Sequence, residues 1–209
     1  MKIAEIFYSL QGEGFLVGTP TIFIRTTGCN LRCRFCDTTY AYTKGIEMSI
    51  QKILDVVRTY PSHIVCITGG EPLIQKETIP LIDALKKEGY SICLETNGSI
   101  SIKNLARKKS LFISLDIKCP SSGSATSMDI GNLHFLTKKD QLKFIIQNKE
   151  DYLYAKNILQ RYKPLCPVFF QPVWGTNPKK LAQWILHDGI PVRMSLQLHK
   201  IIWGTKKGV

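Results

Sequence analysis

Short apolar runs alternate along the chain with stretches whose apolar residues recur at helical spacing, the pattern of repeated strand–helix units. The runs Ile3–Tyr8, Thr21–Arg25, Ile64–Ile67, Ser91–Leu94, Leu111–Asp116, Leu142–Gln147, Val168–Gln171 and Val192–Gln197 are expected to be strands. Between them, Ser49–Tyr60, Lys76–Gly89, Asp151–Lys163 and Pro178–His187 are expected to be helices. Ser49 is placed to cap the first, Gly89 to end the second, and Pro178 to occupy a first helical position. Strands that alternate with helices and are apolar on both faces imply an α/β fold with a parallel sheet, open or curled into a partial barrel. The Ser- and Gly-rich stretch Pro120–Leu133 reads as a mobile loop.

Chemistry in such sheets gathers at the C-terminal strand ends, and the polar motifs lie there. Thr68-Gly69-Gly70-Glu71-Pro72 follows the third expected strand and Glu95-Thr96-Asn97-Gly98 the fourth. Asp116-Ile117-Lys118, Gln171-Pro172-Val173-Trp174 and Leu198-His199-Lys200 close later strands. The chain of 209 residues suits one domain, expected to span 1–209. No basic segment leads into an apolar run at the start and no run is long enough to cross a bilayer, so a cytoplasmic protein is expected.

Of seven cysteines, an odd number, three crowd into Cys29-Asn-Leu-Arg-Cys33-Arg-Phe-Cys36, while Cys66, Cys93, Cys119 and Cys166 read as core. A disulfide framework does not fit, and soft thiolates suit zinc or an iron–sulfur cluster. Zinc wants a fourth protein ligand at matching spacing, and none lies near. Three cysteines can instead hold three irons of a cubane and leave the fourth iron open.

This C-x3-C-x2-C spacing after an apolar strand resembles the signature of the radical S-adenosylmethionine superfamily, which implies a partial (β/α)6-type TIM-like barrel. The resemblance implies a [4Fe–4S] cluster on Cys29, Cys33 and Cys36 that binds and cleaves S-adenosylmethionine, generating a 5′-deoxyadenosyl radical. Phe35, Cys36 and Asp37 match cofactor-binding positions, as do Gly70 and Glu71 of the GGEP loop and Thr96 and Asn97 of the ETNG loop.

Ser9-Leu10-Gln11-Gly12-Glu13-Gly14, Arg25, Asp37-Thr38 after the third cysteine, and the tail Gln197-Leu198-His199-Lys200-Ile-Ile-Trp203-Gly204 resemble the 7-carboxy-7-deazaguanine synthase family across nearly the whole chain. That resemblance implies a carbon–nitrogen lyase that contracts the ring of 6-carboxy-5,6,7,8-tetrahydropterin, releases ammonia and feeds queuosine or archaeosine synthesis. It assigns Leu10, Gln11, Gly12, Glu13, Arg25, Thr68 and His199 to substrate, with Arg25 gripping the carboxylate bidentately. Thr38 is implied as a ligand of Mg2+, whose remaining ligands come from substrate and water. Asp116, Ile117 and Lys118, together with Gln171, Pro172, Val173 and Trp174, are implied to meet S-adenosylmethionine; family members often read Ser-Pro-Lys where this chain has Asp116-Ile117-Lys118. A short N-terminal strand extends the core, and the tail is expected to close on the substrate, with the Val209 carboxylate reaching it. A homodimer is implied.

The net charge of +12 invites a nucleic-acid reading, but the positive residues are scattered rather than gathered in an aromatic-interleaved strip. Docking of an acidic electron carrier, flavodoxin or ferredoxin, fits better, with no direct nucleic acid and no membrane contact. Two alternatives share some of these features. An activating enzyme that makes a glycyl radical on a partner protein has the same cysteine spacing, but QGEG, CDT and QLHKxxW argue for a pterin pocket. A zinc-stabilised RNA-binding protein explains the charge but not the motifs.

Overall fold

The structure is a computed structural model that describes residues 1–106 and 108–209. Nine strands make one sheet: β1 Lys2–Leu10, β2 Pro20–Thr26, β3 Ile46–Glu47, β4 Ile64–Gly69, β5 Ser91–Thr96, β6 Leu111–Lys118, β7 Gln141–Ile146, β8 Val168–Pro172 and β9 Arg193–Met194. Their order is β3-β1-β2-β4-β5-β6-β7-β8-β9. From β2 to β9 every pairing is parallel, while β1 runs antiparallel to β2 and β3 as an N-terminal extension. Helix α1 (Ile50–Val57) precedes β4, and α2 (Thr78–Lys87), α3 (Lys149–Tyr162) and α4 (Pro178–Asp188) make later crossovers. A short α5 (Leu198–Trp203) follows β9.

The helices begin where local chemistry allows. Ser49 Oγ accepts from the Lys52 amide at 3.2 Å, and Asn148 Oδ1 accepts from that of Asp151 at 3.0 Å. Asn177 caps α4 through the Lys179 amide, with Pro178 at the first helical position. Gly89 follows α2 with φ +85°, the left-handed turn that ends a helix cheaply only at glycine.

Strand periodicity gives the sheet two different faces. One face, with Ile24, Ile67, Leu94, Leu115 and Phe144 fully buried, packs with the helices into the main core. Each such side chain contributes roughly 2 kcal/mol of burial. The opposite face carries Arg25, Thr68, Glu95, Asp116, Lys118 and Lys143, which line a cavity. Beneath them Phe23, Cys66 and Cys93 form a small second core with Phe7, Leu16 and Phe112. The segment after β1 crosses under this face, where the Phe15 amide donates to Gln141 Oε1 (2.7 Å) and that of Gly14 to Ser195 Oγ (3.3 Å). The sheet therefore curls far enough for the end of β1 to meet β7 and the chain after β9.

Two expectations need correcting. The expected strand Val192–Gln197 is only Arg193–Met194, because Ser195 and Gln197 turn their side chains to the Gly12–Gly14 segment and Leu198 donates to Gly12 O at 2.9 Å. His199 consequently lies on a helix, not at a strand end. The stretch Pro120–Leu133 is not a loose loop but a series of 3-10 turns, at Pro120–Ser122, Ala125–Ser127 and Ile130–His134. Asn132, fully buried, anchors it by donating to Gly98 O and Ile100 O and accepting from the Ile102 amide. Among the described residues no helix is long and apolar enough to cross a membrane.

Candidate active site

The three clustered cysteines sit on the loop that leaves β2 at the C-terminal end of the parallel strands. All three are half-buried, free, and open on the cavity. Cys29 Sγ accepts from the Leu31 amide at 3.4 Å and from Asn97 Nδ2 at 3.7 Å, and the Cys33 thiol donates to Ser124 Oγ at 3.6 Å. Burial outweighs those donors and raises the Cys29 pKa, whereas ligation to iron would fix it as thiolate. Three soft thiol donors facing one cavity make the donor set of an iron–sulfur cluster with one iron left open.

The loop after β4 braces the cysteine loop from behind. The amide of Gly70 donates to Thr26 O at 3.2 Å and that of Glu71 to Gly28 O at 2.8 Å. A Cβ on Gly70 would fall 1.8 Å from Gly28 O and 2.9 Å from Cys29 Cβ, which only glycine avoids. Glu71 is fully buried, and its carboxylate accepts from the Leu73 amide (3.0 Å), Thr96 Oγ1 (2.9 Å) and the Asn97 amide (2.6 Å). Burial nevertheless raises its pKa more than these donors lower it.

The cavity, about 580 Å³, runs from the cysteines down the inner face of the sheet. Arg25 Nε donates to Glu5 Oε1 at 2.7 Å, and Tyr40 donates to the same oxygen at 2.6 Å. The terminal guanidinium nitrogens of Arg25 make no hydrogen bond among the described residues, leaving the fork open to the cavity it lines. Glu95 accepts from Gln11 Nε2 (3.1 Å) and Thr68 Oγ1 (2.8 Å). Across the lumen runs an ion chain. Lys118 Nζ is 2.9 Å from Asp116 Oδ2, Lys143 Nζ is 3.3 Å from Asp116 Oδ1, and Lys143 also pairs with Glu13 Oε2. Burial alone would raise Glu13, but the Lys143 ammonium beside it holds its carboxyl far below the usual range. Burial likewise opposes the charge on Lys143, and Asp116 and Glu13 restore it, so both members of the Lys143–Glu13 pair stay ionised.

The C-terminal tail covers this cavity. His199 lies against Gly12, where a Cβ would come 1.9 Å from the imidazole Nδ1. Lys200 Nζ binds Asp37 Oδ2 at 2.5 Å, and Lys207 Nζ lies 4.2 Å from the centre of the Tyr40 ring. These contacts bring Val209 to the cavity wall.

Residues 23–147 match the model of the radical SAM superfamily. A 7-carboxy-7-deazaguanine synthase of Thermoplasma acidophilum is 39% identical over 209 residues, the whole of both chains. That of Methanospirillum hungatei is 41% identical over 97% of this chain and 85% of its own. The chain belongs to the 7-carboxy-7-deazaguanine synthase family. The crystal structure of QueE from Escherichia coli superposes with a TM-score of 0.80 at 24% identity, covering 95% of this chain and 94% of that one, and shows the same fold. Streptococcus suis SuiB bound to S-adenosylmethionine shares it more distantly, with a TM-score of 0.60 at 13% identity over 82% of this chain and 48% of that one.

Membership in this radical SAM family implies a [4Fe–4S] cluster and S-adenosylmethionine, and the donor set fits both. The cysteine trio suits a cluster, and the buried Gln171 Oε1, on the same cavity wall, has no hydrogen-bond partner among the described residues. Of the residues the family resemblance singled out, the structure gathers all but two around the one cavity. Glu71 stands behind the wall, with both oxygens engaged by protein, and Ile117 points to the helix-side core. Sequence reasoning missed Glu5, Tyr40 and Lys143, and quoted Glu95, Gln197 and Lys200 within motifs without giving them a role. For Glu95 and Lys143 a signal existed: each is a charge at an inward position of an otherwise apolar strand.

Proposed function

We propose that the chain converts 6-carboxy-5,6,7,8-tetrahydropterin to 7-carboxy-7-deazaguanine with loss of ammonia, a step toward queuosine or archaeosine. The observation that carries this reading is one cavity with three thiols at its mouth and an unpartnered Arg25 fork among hydrogen-bonding side chains below. The family names of the full-length relatives support it and favour neither an activating enzyme nor an RNA-binding protein.

When bound, the cluster and S-adenosylmethionine supply the one-electron chemistry that removes hydrogen from the pterin. The protein's own residues hold the reactant for it. Arg25 takes the carboxylate through two parallel N–H bonds while Glu5 and Phe7 fix its plane, Nε to Glu5 Oε1 at 2.7 Å and the ring 5.6 Å away. Gln11, with the backbone of Leu10 and Gly12, meets the pterin edge. Glu13 accepts from its guanidine-like N–H groups, an office that requires an ionised carboxylate, which Lys143 secures. Thr68 and neutral His199 complete the wall. Orienting the ring this way removes rotational freedom before the reaction rather than during it.

Thr38 would contribute its hydroxyl to Mg2+, with substrate oxygens and water supplying the rest. Thr38 lines the cavity, and its Oγ1 donates to Asp37 Oδ1 at 2.9 Å, on the carboxylate whose other oxygen binds Lys200. The tail, fastened through Lys200 and Lys207, would close over the substrate with Val209 and exclude water. The +12 charge favours an acidic flavodoxin or ferredoxin as reductant. The working form is a cytoplasmic homodimer with residues 1–209 as one domain.

The test is anaerobic: cluster-reconstituted protein, a chemical reductant, S-adenosylmethionine, Mg2+ and the carboxylated pterin, read by mass spectrometry. 7-Carboxy-7-deazaguanine and released ammonia are expected. Cleavage of S-adenosylmethionine without any pterin product would sink the assignment while leaving the radical chemistry standing.

A further inference from the structure

Cys66 and Cys93 are directly opposite one another on the parallel strands β4 and β5, and both point into the barrel. Glu95 lies two residues beyond Cys93 on the same face of β5. The two thiol sulfurs and one Glu95 carboxylate oxygen all lie within 4.8 Å of one another. None of these residues is needed by the cluster, and neither thiol lines the cavity.

We propose that Cys66, Cys93 and Glu95 form a second metal site, for a thiophilic divalent cation of the zinc class, at the floor of the reaction cavity. The donor set decides the class. Two thiolates and one carboxylate suit zinc and repel the hard-oxygen cations Mg2+ and Ca2+. Bonds of about 2.3 Å to sulfur and 2.0 Å to oxygen set edges of roughly 3.5–3.8 Å in a tetrahedron. The three donor atoms, all within 4.8 Å of one another, stand near that spacing.

The surroundings suit a metal too. Cys66 is 0% and Cys93 2% exposed, walled by Phe7, Phe23 and Phe112, so competing water is excluded. Gln11 Nε2 lies 3.8 Å from Cys66 Sγ and 3.1 Å from Glu95 Oε1, a donor shared by two ligands. Arg25 is close enough to offset part of the negative charge that two thiolates and a carboxylate would leave around one divalent ion. Three protein ligands leave a fourth position for a further donor. Because Glu95 also holds Gln11 and Thr68 in the cavity wall, a bound ion and that wall draw on the same carboxylate.

The test is X-ray absorption at the zinc edge on cluster-loaded protein, prepared without oxygen, equilibrated with zinc and freed of excess by gel filtration. With the cluster in place Cys29, Cys33 and Cys36 are occupied, and iron does not contribute at the zinc edge. About one zinc per chain with two sulfurs at about 2.3 Å and the remainder oxygen or nitrogen is expected. Cys66→Ala/Cys93→Ala should lower retained zinc at least tenfold. Glu95→Gln, which leaves both sulfurs and the apolar packing intact, should also weaken retention and serves if the double variant does not fold. No retained zinc, a shell of three sulfurs, or an all-oxygen shell indifferent to these substitutions would each overturn the proposal.

Discussion

Glu71 is the residue for which the family resemblance and the geometry give different roles, and Glu71→Gln separates them. If Glu71 touched S-adenosylmethionine, the substitution would weaken cofactor binding and leave folding stability nearly unchanged. The structure instead has both carboxylate oxygens taken: one by the Leu73 amide and Thr96 hydroxyl, the other by the Asn97 amide. A glutamine has one carbonyl oxygen and one NH2, so whichever way it turns, the NH2 faces a main-chain N–H. A buried donor left without an acceptor costs about 1–3 kcal/mol. The change also removes a buried charge, and the raised Glu71 pKa shows that burial penalises that charge. The two effects leave a net loss of about 2 kcal/mol, roughly 30-fold in the folding equilibrium. Urea unfolding followed by circular dichroism should show an earlier midpoint with an unchanged slope. Thr96→Val, which deletes one of the donors, should lose about 1 kcal/mol. Unaltered unfolding with lost S-adenosylmethionine affinity would refute the bracing role and make Glu71 a ligand contact.

Arg25→Lys keeps the charge but not the fork, so the apparent KM for the pterin should rise about 10- to 100-fold, with pterin-independent cleavage of S-adenosylmethionine unchanged. Steady-state kinetics at varied pterin check it, and equal loss of both activities would contradict the carboxylate role. Lys143→Met takes the paired ammonium from Glu13, while Asp116 keeps Lys118, and should cost about 3 kcal/mol in denaturant unfolding, because removing one partner of a buried pair leaves uncompensated charge. For His199, burial lowers the pKa more than Glu13 and Asp37 raise it. The unfolded chain, titrating near 6.5, therefore binds a proton more readily than the folded one, and stability should fall as pH drops through about 6.5. His199→Gln should reduce that slope between about pH 7.5 and 5.5, and an identical slope would show that another group sets it.

Much of the fold is legible in the sequence because strand and helix periods are cleanly separated. The Ile64–Ile67 and Ser91–Leu94 runs fall inside β4 and β5, and the Ser49 and Pro178 signals sit where α1 and α4 begin. The failures have local causes. Val192–Gln197 has the composition of a strand, but the Gly12–Gly14 segment offers partners that draw Gln197 and Leu198 away from the sheet, while the Ser195 amide still donates to Phe170 O at 3.0 Å. Pro120–Leu133 has the composition of a loop, yet Asn132 supplies from one side chain the three hydrogen bonds that tie it to residues 98–102. The site is legible where a motif is contiguous, as in the cysteine loop, TGGEP and QGEG. Glu5 and Arg25, twenty residues apart, become neighbours only through the β1–β2 pairing, and Glu13 and Lys143 only when the sheet curls.

The position of those charges also says how the barrel divides its tasks. Leu115 and Phe144 face the helices from the same strands that turn Asp116 and Lys143 inward, so burial on one face stabilises the strand that presents charge on the other. The inner ions contribute little net stability, since desolvation consumes most of their attraction. What they do contribute is placement. Lys118, Asp116, Lys143 and Glu13 form an unbroken series from the cysteine end of the cavity to the segment after β1, and Gln197 extends it into the tail. A carboxylate at Glu13 is thereby fixed in position and in charge by residues on β6, on β7 and beyond β9. The strand-end rule placed the cysteine loop correctly, but Arg25, Asp116 and Lys143 lie a layer deeper, on alternate residues inside β2, β6 and β7, where the rule does not look.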